Sequence, residues 1–284
     1  MSMMKHGSFL ALILCLVLVI SCSSVTHNEI SAPVHYVPTP PKVVTAMLQL
    51  ANVTADDIVY DLGSGDGRIV ITAARDFGAR AVGVEIDPEL VRESQQNAQN
   101  AHVSTRVQIT QGDLFQVNLE EATVVTLFLL PGINEMLAPK FLKELRPGTR
   151  IVSYRHDMGE WQPDRTIRVD GSSIYCWIVP ADVGGTWALE IPTAQALSPQ
   201  TLSLRQAFQN LSGSVRLHDR KLSLRDPQIY GEKLSFATSG TVGGHPIAME
   251  FAGRVQGVHA TGTVVVKGGP FSGSHQWSAR RSVK

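Results

Sequence analysis

Cysteine is scarce in this chain of 284 residues, which contains three and no Cys-x-x-C pair. Cys15 and Cys22 lie near the N-terminus, so Cys176 is the single cysteine of the rest of the chain. One cysteine cannot form an intramolecular disulfide, and the histidines show no His-x-x-x-H spacing. We therefore expect neither a disulfide framework nor a metal site. Cys176 lies in an apolar, strand-like run, where a buried structural thiol is expected.

An excess of either charge is also missing, since 25 Lys and Arg residues balance 25 Asp and Glu residues. No basic stripe is interleaved with aromatic residues. Without a basic field, a nucleic acid is not expected as a partner. The hydrophobic fraction of 43% is enough for packed cores, and the length predicts one large domain or two smaller ones.

The N-terminal apolar run, residues 9–20, has twelve residues, fewer than the roughly 20 that a membrane-spanning helix needs. It follows Lys5 and suits a signal peptide. The ending Val-Ile-Ser-Cys resembles the lipobox of bacterial lipoproteins, in which cleavage precedes a cysteine that becomes lipidated. This resemblance implies a signal peptide over residues 1–21, a lipidated Cys22 that holds the chain at a membrane, and a polar tether over residues 22–35. A plain signal peptide or an uncleaved short anchor is the alternative.

Two regions with different patterns follow. Over residues 36–183, strand-like runs alternate with helical ones, which predicts an α/β domain whose parallel sheet is covered on both faces. Over residues 184–284, short strand-like runs are separated by Gly, Asp, Asn or Pro, which predicts a small antiparallel β meander or barrel. Residues 204–211 are the one stretch there that could be helical. Trp187 and Trp277 are expected in the core of this second domain.

A glycine loop, "VYDLGSGDGRIV" at residues 59–70, joins a strand to a helix. Folds that bind NAD and folds that bind methyl donors both use such a loop. Asp61 and Asp66 would repel a pyrophosphate, by on the order of several kcal/mol at low effective dielectric. S-adenosylmethionine (SAM) instead carries an ammonium and a sulfonium group, which these carboxylates attract. The loop therefore favours SAM over NAD.

Two more acidic residues end the next two predicted strands. Glu85 follows the glycines by about 20 residues and could accept hydrogen bonds from both ribose hydroxyls. Asp113, at the end of the third strand, could accept one from the adenine amino group. Open α/β sheets bind ligands at the carboxyl ends of their strands, so these acids are expected at one edge.

The segments "DLGSGDGRI", "GVEIDPELV" and "QGDLF" resemble motif I and its successors in class I SAM-dependent methyltransferases. The resemblance implies a Rossmann-like, mostly parallel sheet of seven strands, with SAM as the methyl donor. It assigns donor-binding roles to nine residues: Asp61, Gly63, Ser64, Gly65 and Asp66 for the methionine part, Glu85 for the ribose, and Ile86, Asp113 and Leu114 for the adenine.

A narrower resemblance rests on "HYVPTPPKVV" and "VVTLFLLPGINEML", residues 35–44 and 124–137. Both are similar to a branch of small membrane-associated methyltransferases that includes protein-lysine methyltransferases of mitochondria. The resemblance implies that Tyr36 and Thr39 close over the donor and that the acceptor is a protein side chain such as lysine.

The acceptor side is less defined. The fourth strand lacks the Asn/Asp-Pro-Pro-Tyr/Phe motif of nucleobase and glutamine N-methyltransferases, which disfavours those classes. The polar segment "SYRHDMGEW", residues 153–161, follows the fifth strand. Asp157 is the first candidate to orient an acceptor amine, with Tyr154 second and His156 and Glu160 behind them; a solvated loop without a chemical role is the alternative. Asn134 and Glu135 could line the same cleft or start the helix after Pro131.

The leading hypothesis is thus a membrane-tethered SAM-dependent methyltransferase. A lipoprotein faces the periplasm or the exterior, whereas SAM is made in the cytosol and is too polar to cross a bilayer unaided. The alternative is a non-catalytic envelope lipoprotein that uses a methyltransferase-like fold and the β domain for binding.

Overall fold

The computed structural model describes residues 36–192 and 200–282. The predicted signal peptide, the tether and Cys22 lie outside these residues. From Val37 onward the chain forms one compact unit. Within the described ranges, no helix has the length and apolar character needed to cross a membrane.

The first half is an α/β sandwich. Its helices are α1 (Pro41–Leu50), α2 (Arg68–Phe77), α3 (Pro88–Asn100) and α4 (Pro131–Glu144). Its strands are β1 (Ile58–Leu62), β2 (Arg80–Glu85), β3 (Val107–Gln111), β4 (Val124–Leu127), β5 (Arg150–Tyr154), β6 (Arg165–Val169) and β7 (Ser172–Ile178). They form one sheet in the order β3-β2-β1-β4-β5-β7-β6, in which β1 to β5 are parallel and β7 runs antiparallel to both of its neighbours, β5 and β6. The predicted mostly parallel seven-stranded sheet is confirmed.

Both faces of the sheet are covered, so its central strands are apolar almost throughout. All four residues of β4 are buried, as are four of the five in β1. Helices α1, α2 and α3 cover one face through a core that includes Met47 and Val70. Helix α4 and the segment after β5 cover the other through Phe141 and Trp161, which share a core with Trp177 of β7. Cys176 is buried in the first of these cores, as expected.

The second half is a closed antiparallel barrel of eight strands, which confirms the predicted β domain. The strands are β8 (Gly185–Glu190), β9 (Gln200–Ala207), β10 (Asn210–Leu217), β11 (Arg220–Tyr230), β12 (Lys233–Val242), β13 (His245–Gln256), β14 (His259–Lys267) and β15 (Gly273–Arg281). Trp187, Trp277, Phe236 and Phe251 fill the interior, with the two phenylalanine rings stacked 4.5 Å apart.

One expectation for this half is wrong. Residues 204–211 do not form a helix but the end of β9, the two-residue turn and the start of β10. Leu202 and Leu204 point into the barrel while Ser203 and Arg205 point outward, so the apolar residues alternate with a period of two. Phe208, with a φ of +55°, makes the tight reversal.

The barrel packs against the amino-terminal edge of the sheet. Gly231, between β11 and β12, accepts a hydrogen bond from Ala181 N at 2.8 Å. It approaches Gly148, just before β5, so closely that an added Cβ would lie 3.1 Å from the Gly148 Cα. The parallel strands run about 15 Å from this edge to their carboxyl ends. The barrel therefore lies at the opposite edge from the predicted ligand site.

Candidate active site

The glycine loop after β1 takes a shape that its glycines permit. Gly63, Gly65 and Gly67 all have positive φ, at +77°, +53° and +80°. A Cβ at Gly63 would lie 2.9 Å from Cδ2 of Leu129, and one at Gly67 would lie 2.9 Å from Cβ of Ser94. Both the backbone conformation and the close neighbours require glycine. The Gly-x-Gly-x-Gly spacing thus fixes a tight turn that enters α2.

Neighbouring elements hold this loop in place. The backbone N–H groups of Gly63 and Ser64 donate to the Val84 carbonyl of β2 at 2.9 and 3.0 Å. From α3, Asn97 Nδ2 donates to the Asp66 carbonyl at 3.0 Å. Ser64 is buried, and its Oγ has no hydrogen-bond partner among the described residues. The loop is therefore anchored from two sides and keeps one buried hydroxyl unused.

Glu85 ends β2 with its carboxylate held by backbone amides. Oε2 accepts from Gly65 N at 2.9 Å, and Oε1 accepts from Ile86 N and Asp87 N at 2.8 and 3.0 Å. The residue is 8% exposed. A carboxylate offers about four lone-pair sites, so three backbone bonds leave it able to accept from a ligand. Glu85 is an oriented acceptor at the carboxyl edge.

Asp61 ends β1 beside Thr126 of β4, whose Oγ1 donates to Asp61 Oδ1 at 2.7 Å. Burial raises the pKa of Asp61 to about 7, and the negative charges of Glu85 and Asp66 push it the same way, against the lowering effect of the Thr126 hydrogen bond. A buried carboxylate among like charges favours a bound cation. The electrostatics at this edge are those of a site for a positively charged ligand.

Asp66 has a partner that the sequence interpretation missed. Its carboxylate forms an ion pair with Arg68, at 2.6 Å between Oδ2 and Nη2. Arg68 Nη1 also donates to the Thr39 carbonyl at 2.9 Å, and Thr39 is buried. Arg68 therefore partly neutralises Asp66 and ties the segment before α1 to the glycine loop. The Asp-x-Arg spacing at the start of α2 was the available signal.

Three further donor-site candidates lie around the ends of β2 and β3. Gly112 N donates to the Glu85 carbonyl at 2.9 Å, which brings Asp113 to the same edge. Asp113 Oδ1 accepts from Phe115 N at 2.8 Å. Ile86 is 70% exposed beside these acids, and Leu114 is half-buried. Tyr36, the first described residue, is exposed, and its role stays a prediction.

On the acceptor side, Asn134 of α4 holds the segment after β5. Its Nδ2 donates to Ser153 Oγ and to the carbonyls of His156 and Asp157, at 3.0, 3.1 and 3.2 Å. The residue is fully buried, and its Oδ1 has no partner among the described residues. Asn134 does lie in the helix that begins at Pro131, but its side chain positions the loop that carries Asp157.

Asp157 itself is exposed, with Oδ1 accepting from Gly159 N at 3.2 Å. The Tyr154 ring is buried and packs against Phe128 with ring centres 4.8 Å apart. The Arg155 guanidinium carbon lies 5.2 Å from the centre of the Tyr154 ring and 5.9 Å from that of Phe128. Two aromatic rings at the carboxyl ends of β4 and β5 thus already hold a cation.

Carboxylates, backbone amides and aromatic rings supply the chemistry of this edge. In the described part of the chain, no three His, Cys, Asp or Glu side chains lie close enough to hold a metal ion. The Asp61 and Glu85 carboxylates fit a ligand that brings both positive charge and hydroxyl groups. SAM is such a ligand, because it combines an ammonium, a sulfonium and a ribose.

Comparison with known proteins agrees with this chemistry. Residues 61–165 match the ANTKMT methyltransferase domain. The chain is also 52% identical over 151 residues to a protein-lysine N-methyltransferase of Saccharolobus islandicus REY15A, covering 51% of this chain and 94% of the relative. The chain belongs to this family of SAM-dependent methyltransferases. SAM as methyl donor is confirmed, and a non-catalytic role is not favoured.

Two further comparisons name different acceptors. The mouse adenine nucleotide translocase lysine N-methyltransferase is 42% identical over 106 residues, which cover 37% of this chain and 46% of the mouse enzyme. The chain thus spans about half of that relative. A solved structure described as an RNA methyltransferase of Salinibacter ruber, in complex with S-adenosyl-L-homocysteine, shares 54% identity with a TM-score of 0.51, over 52% of this chain and 96% of that one.

As a SAM-dependent methyltransferase, the protein needs little covalent chemistry of its own. The methyl group is already activated by the sulfonium. The enzyme must align a nucleophile with it at roughly 3 Å and keep water out. Leu129, which packs against Gly63, joins the end of β4 to the donor loop. Donor and acceptor elements therefore meet at one edge of the sheet.

Proposed function

We propose that this methyltransferase transfers the SAM methyl group to the side-chain nitrogen of a protein lysine. The observation that carries the proposal is the Phe128–Tyr154 ring pair at the carboxyl ends of β4 and β5, which holds the Arg155 cation. A lysine brings a cationic head on an apolar stem, which suits the same ring faces when Arg155 moves aside. The similarity to protein-lysine methyltransferases supports the same acceptor.

The donor roles follow from charge and hydrogen-bonding capacity. Asp61 would face the SAM ammonium, with Gly63, Ser64, Gly65 and Asp66 around the methionine part. Glu85 would accept from a ribose hydroxyl at the lone-pair site that its three backbone bonds leave open. Ile86, Asp113 and Leu114 would frame the adenine, and Tyr36 and Thr39 would close over the donor. The anchoring of Thr39 by Arg68 supports its part in this closure.

The acceptor step requires a neutral amine, so the lysine ammonium must first lose a proton. Asp157, exposed in the segment after β5, would orient the amine and take that proton directly or through water. The Tyr154 hydroxyl has no hydrogen-bond partner among the described residues and could bind the same nitrogen. As the nitrogen–methyl bond forms, the methyl–sulfur bond breaks and its electron pair stays on sulfur.

The acceptor is tested by incubating the full chain with methyl-tritiated SAM and with separate protein and RNA fractions from the source cells. We expect label that protease releases, and methyl-lysine after acid hydrolysis. Label confined to RNA would contradict the lysine proposal and favour the activity named for the Salinibacter protein.

Two variants sharpen this test. Phe128→Ala removes one ring of the pair and should raise KM for the protein acceptor while SAM affinity stays within about twofold. Met136→Ala is the control, because Met136 is exposed on α4 and makes no ring contact among the described residues. Equal acceptor kinetics for both variants would show that the ring pair does not receive the lysine.

We propose in addition that lipidated Cys22 tethers the enzyme to a bacterial membrane, on its periplasmic or extracytoplasmic side. The support is the Val-Ile-Ser-Cys lipobox after an apolar run. Metabolic labelling with a radioactive fatty acid should mark the wild-type chain and not Cys22→Ala. Label that persists in the variant would exclude Cys22 as the lipid site. On this side of the membrane, SAM would need a transporter.

A further inference from the structure

A pocket lies between the α/β half and the barrel, at the edge of the sheet opposite the donor loop. Its volume is about 310 Å³. The α/β half contributes Arg150 and Arg165 to its wall, and the barrel contributes Tyr230, Glu232, Lys233 and Arg254. Four cationic side chains thus line it with one carboxylate. A wall of this charge favours an anion.

The four cations are not equally engaged. Arg150 is paired with Asp57 and Arg254 with Glu232, each at 2.8 Å. Within the residues that the structure describes, Arg165 and Lys233 have no ion pair. One of these two comes from each half of the protein. The unpaired positive charge therefore faces the pocket from both sides of the boundary.

Arg165 is the stronger indication of a ligand. Its Nη2 donates to the Cys176 Sγ at 3.5 Å, a weak acceptor, and its Nε is buried without a partner among the described residues. The nearby Asp164 carboxylate accepts from Ile178 N at 2.7 Å and is not in ion-pair contact with the guanidinium. A partly desolvated guanidinium without an oxygen acceptor is costly, and an oxyanion would supply one.

We propose that this pocket binds a compact multivalent oxyanion, such as the phosphate or carboxylate groups of a small metabolite. Arg165 would hold one oxyanion group through its planar fork of donors, and Lys233 would add a point charge from the barrel. The exposed Tyr230 ring offers an apolar wall for the rest of the ligand. Because both halves contact it, the ligand would stabilise their packing.

Calorimetry on the full chain tests the proposal with inorganic phosphate, glycerol phosphate and citrate, at ionic strength matched with sodium chloride. We expect saturable binding of one anion per chain, with a dissociation constant of about 1 mM or lower for at least one probe. The preferred probe separates a phosphate ligand from a carboxylate one. Weak, non-saturable heats with all three would overturn the proposal.

Matched variants locate the site. Arg165→Gln and Lys233→Gln should each weaken binding about tenfold or more. Lys221→Gln changes another exposed lysine of the barrel, which does not line this pocket, and should leave binding unchanged. Lys233 is the exposed first residue of β12, so Lys233→Gln should fold and tests the site even if Arg165→Gln does not fold. Unchanged affinity in Lys233→Gln would overturn the placement. Glu85→Ala should keep anion binding, which separates this site from the donor site.

Discussion

Thr126 Oγ1 donates a 2.7 Å hydrogen bond to Oδ1 of Asp61 across the register of β4 and β1. This hydroxyl supports a carboxylate whose pKa is raised to about 7 by burial and by neighbouring acids. The donor site therefore keeps a buried group that is half-protonated near neutral pH until a cation arrives. Its protonation links ligand binding and stability to pH.

SAM affinity should fall as the pH drops below about 7. The ligand ammonium favours ionised Asp61, so binding must displace the Asp61 proton at lower pH. Calorimetry between pH 7.5 and pH 5.5 should show that SAM affinity falls as the pH is lowered, by up to about tenfold per pH unit. Asp61→Asn should bind more weakly at pH 7.5 and lose most of this slope. The same slope in the variant would assign the titration to another group.

The same group should make the ligand-free protein less stable as pH rises. The folded pKa of Asp61, about 7, lies above its ordinary value near 3.8, so between these values the unfolded chain releases a proton that the folded chain retains. Stability then falls from about pH 4 to pH 7 and is level above it. Asp61→Asn should be more stable than the wild type at pH 8, by up to about 4 kcal/mol.

Denaturant unfolding at pH 5 and pH 8 checks this expectation. The difference in unfolding free energy between Asp61→Asn and the wild type should be smaller at pH 5, because the raised Asp61 pKa has destabilised the wild type less at that pH. A gap that is independent of pH would mean that the Asp61 pKa is not raised in the folded state.

Glu85→Ala should weaken SAM binding about tenfold to a hundredfold. The change removes the ribose acceptor and frees three backbone N–H groups, including that of Gly65 in the loop. Glu89→Ala is the matched control, because Glu89 lies on the exposed first turn of α3 and pairs with Arg92. Calorimetry gives both affinities. Equal affinity for the two variants would refute the ribose placement.

Local patterns were sufficient to predict the features of the fold that depend on short segments. The alternation of apolar strands and helices indicated the parallel sheet, and three glycines with two aspartates indicated the turn and its preferred ligand charge. Glu85 could be placed because parallel strands end at one edge of a sheet. The short strand-like runs of the C-terminal half, separated by Gly, Asp, Asn or Pro, indicated antiparallel strands.

Features that depend on contacts between distant segments were not predictable. Residues 204–211 have a composition compatible with a helix, but pairing of Leu202 and Leu204 into the barrel core decides for a hairpin. The side-chain amide of Asn134 hydrogen-bonds α4 to a loop about 20 residues away, through the carbonyls of His156 and Asp157. The position of the barrel at the amino-terminal edge of the sheet depends on the close approach of Gly231 to Gly148, which a periodic sequence pattern cannot predict.

Asn134→Asp should slow catalysis without weakening SAM binding. The change replaces a buried amide donor with a group that faces the carbonyls of His156 and Asp157. Losing these bonds should cost about 1–3 kcal/mol of stability and loosen the loop that carries Asp157. Kinetics should show a lower kcat or a higher acceptor KM, with SAM affinity within about twofold. Met136→Ala, at an exposed residue of the same helix, is the control. An Asn134 variant that loses only stability would leave Asn134 without a positioning role.

Phe208→Ala should uncouple the unfolding of the two halves. Phe208 of the barrel hairpin stacks on Trp161 of the α/β half, with ring centres 5.6 Å apart and planes 6° from parallel. Removing the ring should cost about 1–3 kcal/mol at the boundary. Calorimetric scans should show one unfolding transition for the wild type and two for the variant. SAM should raise the melting temperature of only the transition that belongs to the α/β half.

Phe271→Ala is the control for this last experiment, because Phe271 packs against the barrel core and does not contact Trp161 among the described residues. It should destabilise the protein while the single transition persists. If it splits the transition as Phe208→Ala does, then general weakening of the barrel separates the halves, and the stacked rings have no special part. If Phe208→Ala keeps one SAM-responsive transition, the glycine contact at Gly148 and Gly231 is enough to couple the barrel to the donor-binding half.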